Sequence, residues 1–174
     1  MLPKTIGVPL LIVQHMPPRF TQLLAERLDA ESAIHVVEAT AGMELQPGTA
    51  YIAPGDHHLT IKRECGKVVT ALNQGPQENS CRPAVDVLFR SVADVYGASA
   101  IAIVLTGMGK DGYSGTQILK REGAYVIAQD KDSSVVWGMP RFIAEAGLAN
   151  AVVPIDKVAI EVQRCLSRSE TCIR

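Results

Sequence analysis

The chain has 174 residues and a formal net charge of -1, with 17 Lys and Arg against 18 Asp and Glu. That length is enough for one domain with a real core, and 47% apolar against 20% charged residues is the balance of a soluble globular protein. The near-neutral charge argues against non-specific nucleic-acid binding, because no surplus of cations is available to neutralise phosphates.

In chain order, Val8 to Val13 is an apolar run that reads as a strand buried on both faces. It is too short to span a membrane, and Gln14-His15 follows it in place of a small-residue cleavage site, so a cytoplasmic chain without membrane insertion is expected. Pro17-Pro18 breaks the strand, and Leu23, Leu24, Ala25 and Leu28 then fall at helical spacing. Ile34 to Val37 is a further short strand. Pro47-Gly48 and Pro54-Gly55 are turn signals around a strand at 50–53. Residues 58–62 and 67–72 alternate polar and apolar around Glu64-Cys65-Gly66, which predicts a half-exposed antiparallel hairpin. A polar loop, 73–83, leads to a helix with its apolar face at positions 85, 87, 88, 92 and 95.

The second half alternates regularly. Strands are predicted at 100–105, 124–128 and 151–153, and helices at 113–121, about 139–147 and 155–165, with a polar, frayed tail after Ser167. Strands that are apolar throughout and alternate with helices predict a parallel sheet covered on both faces. The four cysteines, Cys65, Cys81, Cys165 and Cys172, form no C-x-x-C pair and have no His at a zinc-binding spacing, so ordinary reduced thiols are expected.

Sites in an open parallel sheet form beyond the carboxyl ends of its strands. His15 ends the first strand there, Asp111 follows the strand ending near Leu105, and Asp130, Asp132, Ser133 and Ser134 follow the strand ending near Ala128. A His and an Asp on one edge can form a base and the carboxylate that orients it. Each also has a plain reading. His15 could be a structural hydrogen-bonder, and Asp111 could be the N-cap of the helix after it. The Asp130-Lys131-Asp132 run reads as a solvated loop, and His57 and His58 read as surface residues at the start of the hairpin.

Gly107-Met-Gly109-Lys-Asp-Gly112 also fits G-x-G-x-x-G between a strand and a helix, with Asp130 about 20 residues on. A dinucleotide site is therefore a remote alternative. Against it, Asp111 would put a negative charge where helix amides should meet pyrophosphate.

Five separate segments follow one another along the chain: Gln14-His-Met-Pro-Pro18, Ala50-Tyr-Ile-Ala-Pro-Gly-Asp56, Arg82-Pro-Ala-Val-Asp-Val-Leu-Phe89, Leu105-Thr-Gly-Met-Gly-Lys-Asp-Gly112 and Ser134-Val-Val-Trp-Gly-Met-Pro140. In this order the chain resembles the catalytic domain of the chemotaxis protein-glutamate methylesterases, from about Gly7 to Ile160. The resemblance implies a three-layer, doubly wound α/β fold with a mostly parallel sheet and a small antiparallel hairpin. It implies hydrolysis of glutamate methyl esters on methyl-accepting chemotaxis receptors, with glutamine deamidation in some members and no cofactor or metal. From the family's Ser-His-Asp triad, His15 would be the general base and Asp111 its orienting carboxylate, with the Met108 amide as an oxyanion donor.

The family's nucleophile is the Ser of a Gly-x-Ser-x-Gly-Gly turn, and no Gly-x-Ser-x-Gly occurs in the 174 residues. Residues 1–174 are thus expected to be a methylesterase-type domain without the family's first strand and helix and without a receiver domain. Three expectations follow: a lost start to a normal esterase, an inactive homologue that still binds receptors, or a substitute serine, Ser133 or Ser134. The missing strand would leave an open strand edge and a tendency to self-associate.

Overall fold

The structure is a computed structural model that describes residues 2–171. In chain order its elements are β1 (Leu10–Ile12), α1 (Phe20–Glu31), β2 (His35–Glu38), β3 (Thr49–Ile52), β4 (His58–Glu64), β5 (Lys67–Asn73), α2 (Val85–Tyr96), β6 (Ile101–Val104), α3 (Tyr113–Arg121), β7 (Tyr125–Gln129), α4 (Met139–Glu145), β8 (Ala151–Val153) and α5 (Ile155–Thr171).

The parallel strands form two separate sheets, ordered β1-β3-β2 and β6-β7-β8, and the hairpin β4-β5 stands apart. The parallel ladders run Leu10 to Ile12 against Ala50 to Ile52, and Ile101 to Val104 against Tyr125 to Ala128. Among the described residues, β1 is paired only with β3 and β6 only with β7, so each keeps one free edge. The mostly parallel α/β architecture with a small antiparallel hairpin is as expected. One expectation is corrected: β1 is shorter than 8–13 and half-buried along its length. An apolar run guarantees burial only where neighbours flank it on both sides, as they do at β3, where Ala50 and Ile52 are fully buried.

The layers follow from side-chain alternation along the central strands. Val126 and Ala128 of β7 pack with Leu119 of α3 and Ile143 of α4. Ile127, between them, faces Val162 of α5 on the opposite side. In the other sheet Ala50 and Ile52 pack under Ala25 of α1, whereas Tyr51 packs with Leu59 and Ile61 of the hairpin and Leu88 of α2. Helix α2 therefore bridges the halves, with Leu88 toward the hairpin and Val85 and Ala93 toward the β6-β7 side. It touches α3 closely at Gly115, where a Cβ would stand 2.5 Å from the Cβ of Phe89. Helix α5 runs on to Thr171, past the expected frayed tail after Ser167. Residues 172–174, Cys172 among them, lie outside the described residues. No helix among the described residues is long and apolar enough to cross a membrane.

Candidate active site

The loops that leave the carboxyl ends of β1 and β6 meet. His15 Nε2 lies 2.7 Å from Asp111 Oδ2 across 96 residues of sequence. The His15 loop is fixed from behind by the loop after β3. Gly55 sits against Pro17-Pro18 so tightly that a Cβ there would lie 2.3 Å from Pro18 N. The Gly55 amide donates to the buried Thr21 hydroxyl at 3.0 Å, and that hydroxyl donates to Glu38 at 2.6 Å.

Asp111 is 2% exposed and fully engaged. Oδ2 accepts from His15 and from the Val85 amide at 2.6 Å. Oδ1 accepts from the Asp86 amide at 3.1 Å, the Gly112 amide at 2.9 Å and Asn79 Nδ2 at 3.1 Å. Burial acts to raise its pKa. The bonds from His15 and from the Val85 and Asp86 amides outweigh burial and hold the carboxyl below its ordinary value. The capping expectation is corrected in its target. Helix α3 has Gly112 at its N-cap, which has no side chain to cap with, and Asp111 instead caps α2 through the amides of its first two residues. A carboxylate at a helix N-terminus is also favoured by the helix dipole.

An ionised Asp111 makes His15 Nε2–H the donor, which leaves Nδ1 as the basic nitrogen. His15 is partly open, with 28% of its side chain exposed. A cavity of about 310 Å³ lies beside it, lined in part by Met16, Pro18, Asp56, Cys81 and Arg82. The Met108 turn is pinned to the chain before α4 by Gly107 N–H to Val136 O at 3.1 Å and Met139 N–H to Gly107 O at 2.8 Å. Met108 itself is 82% exposed, and its amide has no protein acceptor among the described residues.

Other candidates fall elsewhere. Ser133 Oγ donates to Asp130 Oδ1 and Ser134 Oγ to Asp130 O, both at 2.6 Å, and Ser133 Oγ also accepts from the Ile155 amide, so both hydroxyls are committed to structural bonds. Asp130 is half-buried, while Lys131 and Asp132 are solvated. In the G-x-G-x-x-G turn the Gly112 amide meets Asp111, which puts the chain's own carboxylate where a pyrophosphate would need donors.

Sequence reasoning missed three residues. His58 is 1% exposed and is no surface residue. Its Nε2 lies 3.0 Å from Pro76 O and its Nδ1 accepts from the Ala84 amide at 3.2 Å, so both ring nitrogens are satisfied indoors. Asn79 donates from Nδ2 to both Asp86 Oδ2 and Asp111 Oδ1, at 2.9 and 3.1 Å. Cys81, expected to be an ordinary thiol, places Sγ within 4.8 Å of both a His15 ring nitrogen and an Asp111 oxygen. These three atoms could also be considered as metal ligands, but both Asp111 oxygens are already occupied by protein donors, which makes the set a poor cage. The one local signal for Asn79 and Cys81 was their loop, the polar stretch 73–83.

The profile of the family described as CheB methylesterase matches residues 1–162. A protein-glutamate methylesterase/protein-glutamine glutaminase of Nocardioides is 49% identical over 163 residues, which cover 94% of this chain and 44% of that protein. The Thermotoga maritima protein of the same name is 48% identical over 157 residues, covering 90% of this chain and 46% of the relative. The chain thus spans less than half the length of these curated relatives. The crystal structure of the Thermotoga maritima CheB methylesterase catalytic domain superposes with a TM-score of 0.92 at 46% identity, covering 94% of this chain and 87% of that one. With its α/β layers, its His15–Asp111 edge and nearly its whole length matched, the chain belongs to the CheB methylesterase family.

Proposed function

We propose that this chain hydrolyses methyl esters of glutamyl side chains, the reaction in the name of its protein-glutamate methylesterase relatives, and that it does so on chemoreceptors in the cytoplasm. The observation that carries the reading is the 2.7 Å contact between His15 and a carboxylate held by the amides of α2. His15 Nδ1 takes the proton of a nucleophile as that nucleophile attacks the ester carbonyl. Asp111 fixes the ring and stabilises the imidazolium without taking the proton itself. The free Met108 amide is the candidate donor to the developing oxyanion. The imidazolium then protonates the departing methoxide, and water completes hydrolysis. The same arrangement would release ammonia from a glutamine side chain.

The test is methanol release from a methylated receptor fragment by this chain and by His15→Ala. Release that disappears with His15 supports the reading, and release that survives the substitution overturns it. A second reading, a receptor-binding homologue without activity, is favoured by the inward bonding of Ser133 and Ser134. Receptor pull-down without methanol release, unaffected by His15→Ala, would decide for it.

A further inference from the structure

One nitrogen serves two buried carboxylates at the back of the His15–Asp111 pair. Asn79 Nδ2 donates to Asp86 Oδ2 at 2.9 Å and to Asp111 Oδ1 at 3.1 Å. Both facing atoms are carboxylate oxygens, which only accept, so the amide nitrogen must point inward and Asn79 Oδ1 outward. Asp86 Oδ1 takes the Gly115 amide, which leaves Asn79 as the one protein donor to Asp86 Oδ2 among the described residues. The backbone that carries Asn79 is equally specific. Glu78 and Cys81 exchange amide–carbonyl bonds of 3.1 and 2.9 Å around Asn79 and Ser80, whose φ values are 51° and 61°. Two left-handed residues in succession mark a two-residue type I′ turn, a conformation that Asn tolerates better than most residues. Asn79 is itself exposed, so packing does not account for its side chain, whereas the turn and the two carboxylates do.

We propose that Asn79 is a positioning residue for His15: its amide holds Asp111 with Oδ2 toward the ring and lets Asp86 and Asp111 keep both their charges. The proposal rests on the reading of His15 as base and Asp111 as its orienting carboxylate. The groups facing the carboxylates from neighbouring elements are His15 on the loop after β1, Cys81 on the turn, and Arg90 of α2 with its partner Glu78. Arg90 donates to Glu78, and that bond raises the guanidinium pKa against the effect of burial, with weaker contributions from the charges of Asp86 and Asp111. It therefore does not replace the Asn79 amide. Without the shared donor, two buried carboxylates face each other, and like charges so close cannot both stay ionised. A proton taken up between them weakens the charge that faces His15 and frees the ring to change tautomer.

The experiment reads the His15 tautomer from its ring nitrogens by ¹⁵N NMR at about pH 8, above the ordinary His range, in the wild type, Asn79→Gly and Asn79→Asp. Glycine keeps the left-handed turn and removes the amide; aspartate keeps the size and the turn and offers no N–H. The wild type is expected to show Nε2 protonated and Nδ1 free, and both variants to show averaged nitrogens. The His58 ring, fixed by Pro76 O and the Ala84 amide, is expected to stay unchanged as the mark of an intact fold. A wild-type His15 pattern in Asn79→Gly overturns the proposal, because the turn alone would then suffice. Where neither variant folds, the wild-type chain decides: Asn79 side-chain protons are expected to exchange with solvent more slowly than those of the exposed Asn73, and equal rates overturn the proposal. In methanol release from a methylated receptor fragment, both variants are expected to lose about 10- to 100-fold in kcat with KM unchanged. An undiminished kcat, with release still lost in His15→Ala, overturns the positioning role and leaves the esterase reading standing. A tautomer that depends on Asn79 in a chain that releases no methanol upholds the positioning role and overturns the substrate reading.

Discussion

Asp86 and Asp111 each cap the helix that the other stands on or introduces. Asp111, just before α3, receives the Val85 and Asp86 amides that open α2. Asp86, in the first turn of α2, receives the Gly115 amide of α3 at 2.7 Å. The carboxylates are 3% and 2% exposed, and Asn79 bridges them with one amide group. Two buried negative charges so close would repel strongly unless amide donors and helix N-termini surrounded them, as they do here. The exchange locks α2 to α3 and, through Asp111, holds His15.

Asp111→Asn removes the charge that orients His15 and presents an amide to donors that need an acceptor. Methanol release is expected to fall by about 10³–10⁴-fold, with a stability loss of about 3 kcal/mol for the unpaired buried groups. Asp86→Ala should cost similar stability and far less rate, because Asp86 does not touch His15. Steady-state kinetics beside urea melts measure both, and equal rate losses in the two variants would contradict separate roles.

Asp111 also links stability to pH. Its folded carboxyl lies below its ordinary value of 3.8, so the folded state binds this proton less readily than the unfolded chain does. The contribution is complete above the ordinary carboxyl range and is lost as pH falls through the folded value. Urea midpoints measured from pH 6 downward should therefore fall below about pH 4, and less steeply in Asp111→Asn. An acid limb of unchanged slope in that variant would exclude Asp111 as a source.

His58→Ala leaves Pro76 O and the Ala84 amide without their buried partner. About 2–4 kcal/mol should be lost, at roughly 1–3 kcal/mol for each unsatisfied group. Since these groups flank the loop bearing Asn79 and Cys81, hydrogen exchange over 76–84 should quicken more than exchange in α5. Uniform quickening across the chain would argue for a general loss of stability in place of a local anchor.

The edges of β1 and β6 that are unpaired among the described residues are templates for pairing between chains. Apparent mass in sedimentation velocity is expected to rise with protein concentration. A single monomeric species across the series, with a high thermal midpoint, would count against association.

Much of the architecture was legible in local pattern. The strand–helix alternation after residue 100 appears where expected, and α3 has the predicted limits, 113–121. The hairpin was legible because residues 58–62 and 67–72 alternate around Glu64-Cys65-Gly66, and the strands extend only slightly further, to Glu64 and Asn73. The interior position of His58 was illegible, since its partners lie 18 and 26 residues away. The same holds for Cys81, whose reduced thiol has no local mark distinguishing it from the exposed Cys65.

By itself, the sequence determined the elements and the edge on which His15 and Asp111 belong, because periodicity and glycine turns act over a few residues. Only the tertiary structure decided that Asp111 caps α2 in preference to its own helix, that Asn79 joins two carboxylates, and that a thiol stands beside the imidazole. Those are contacts between groups far apart in sequence. Their energies come from burial and from donors converging across the fold, which no local stretch encodes.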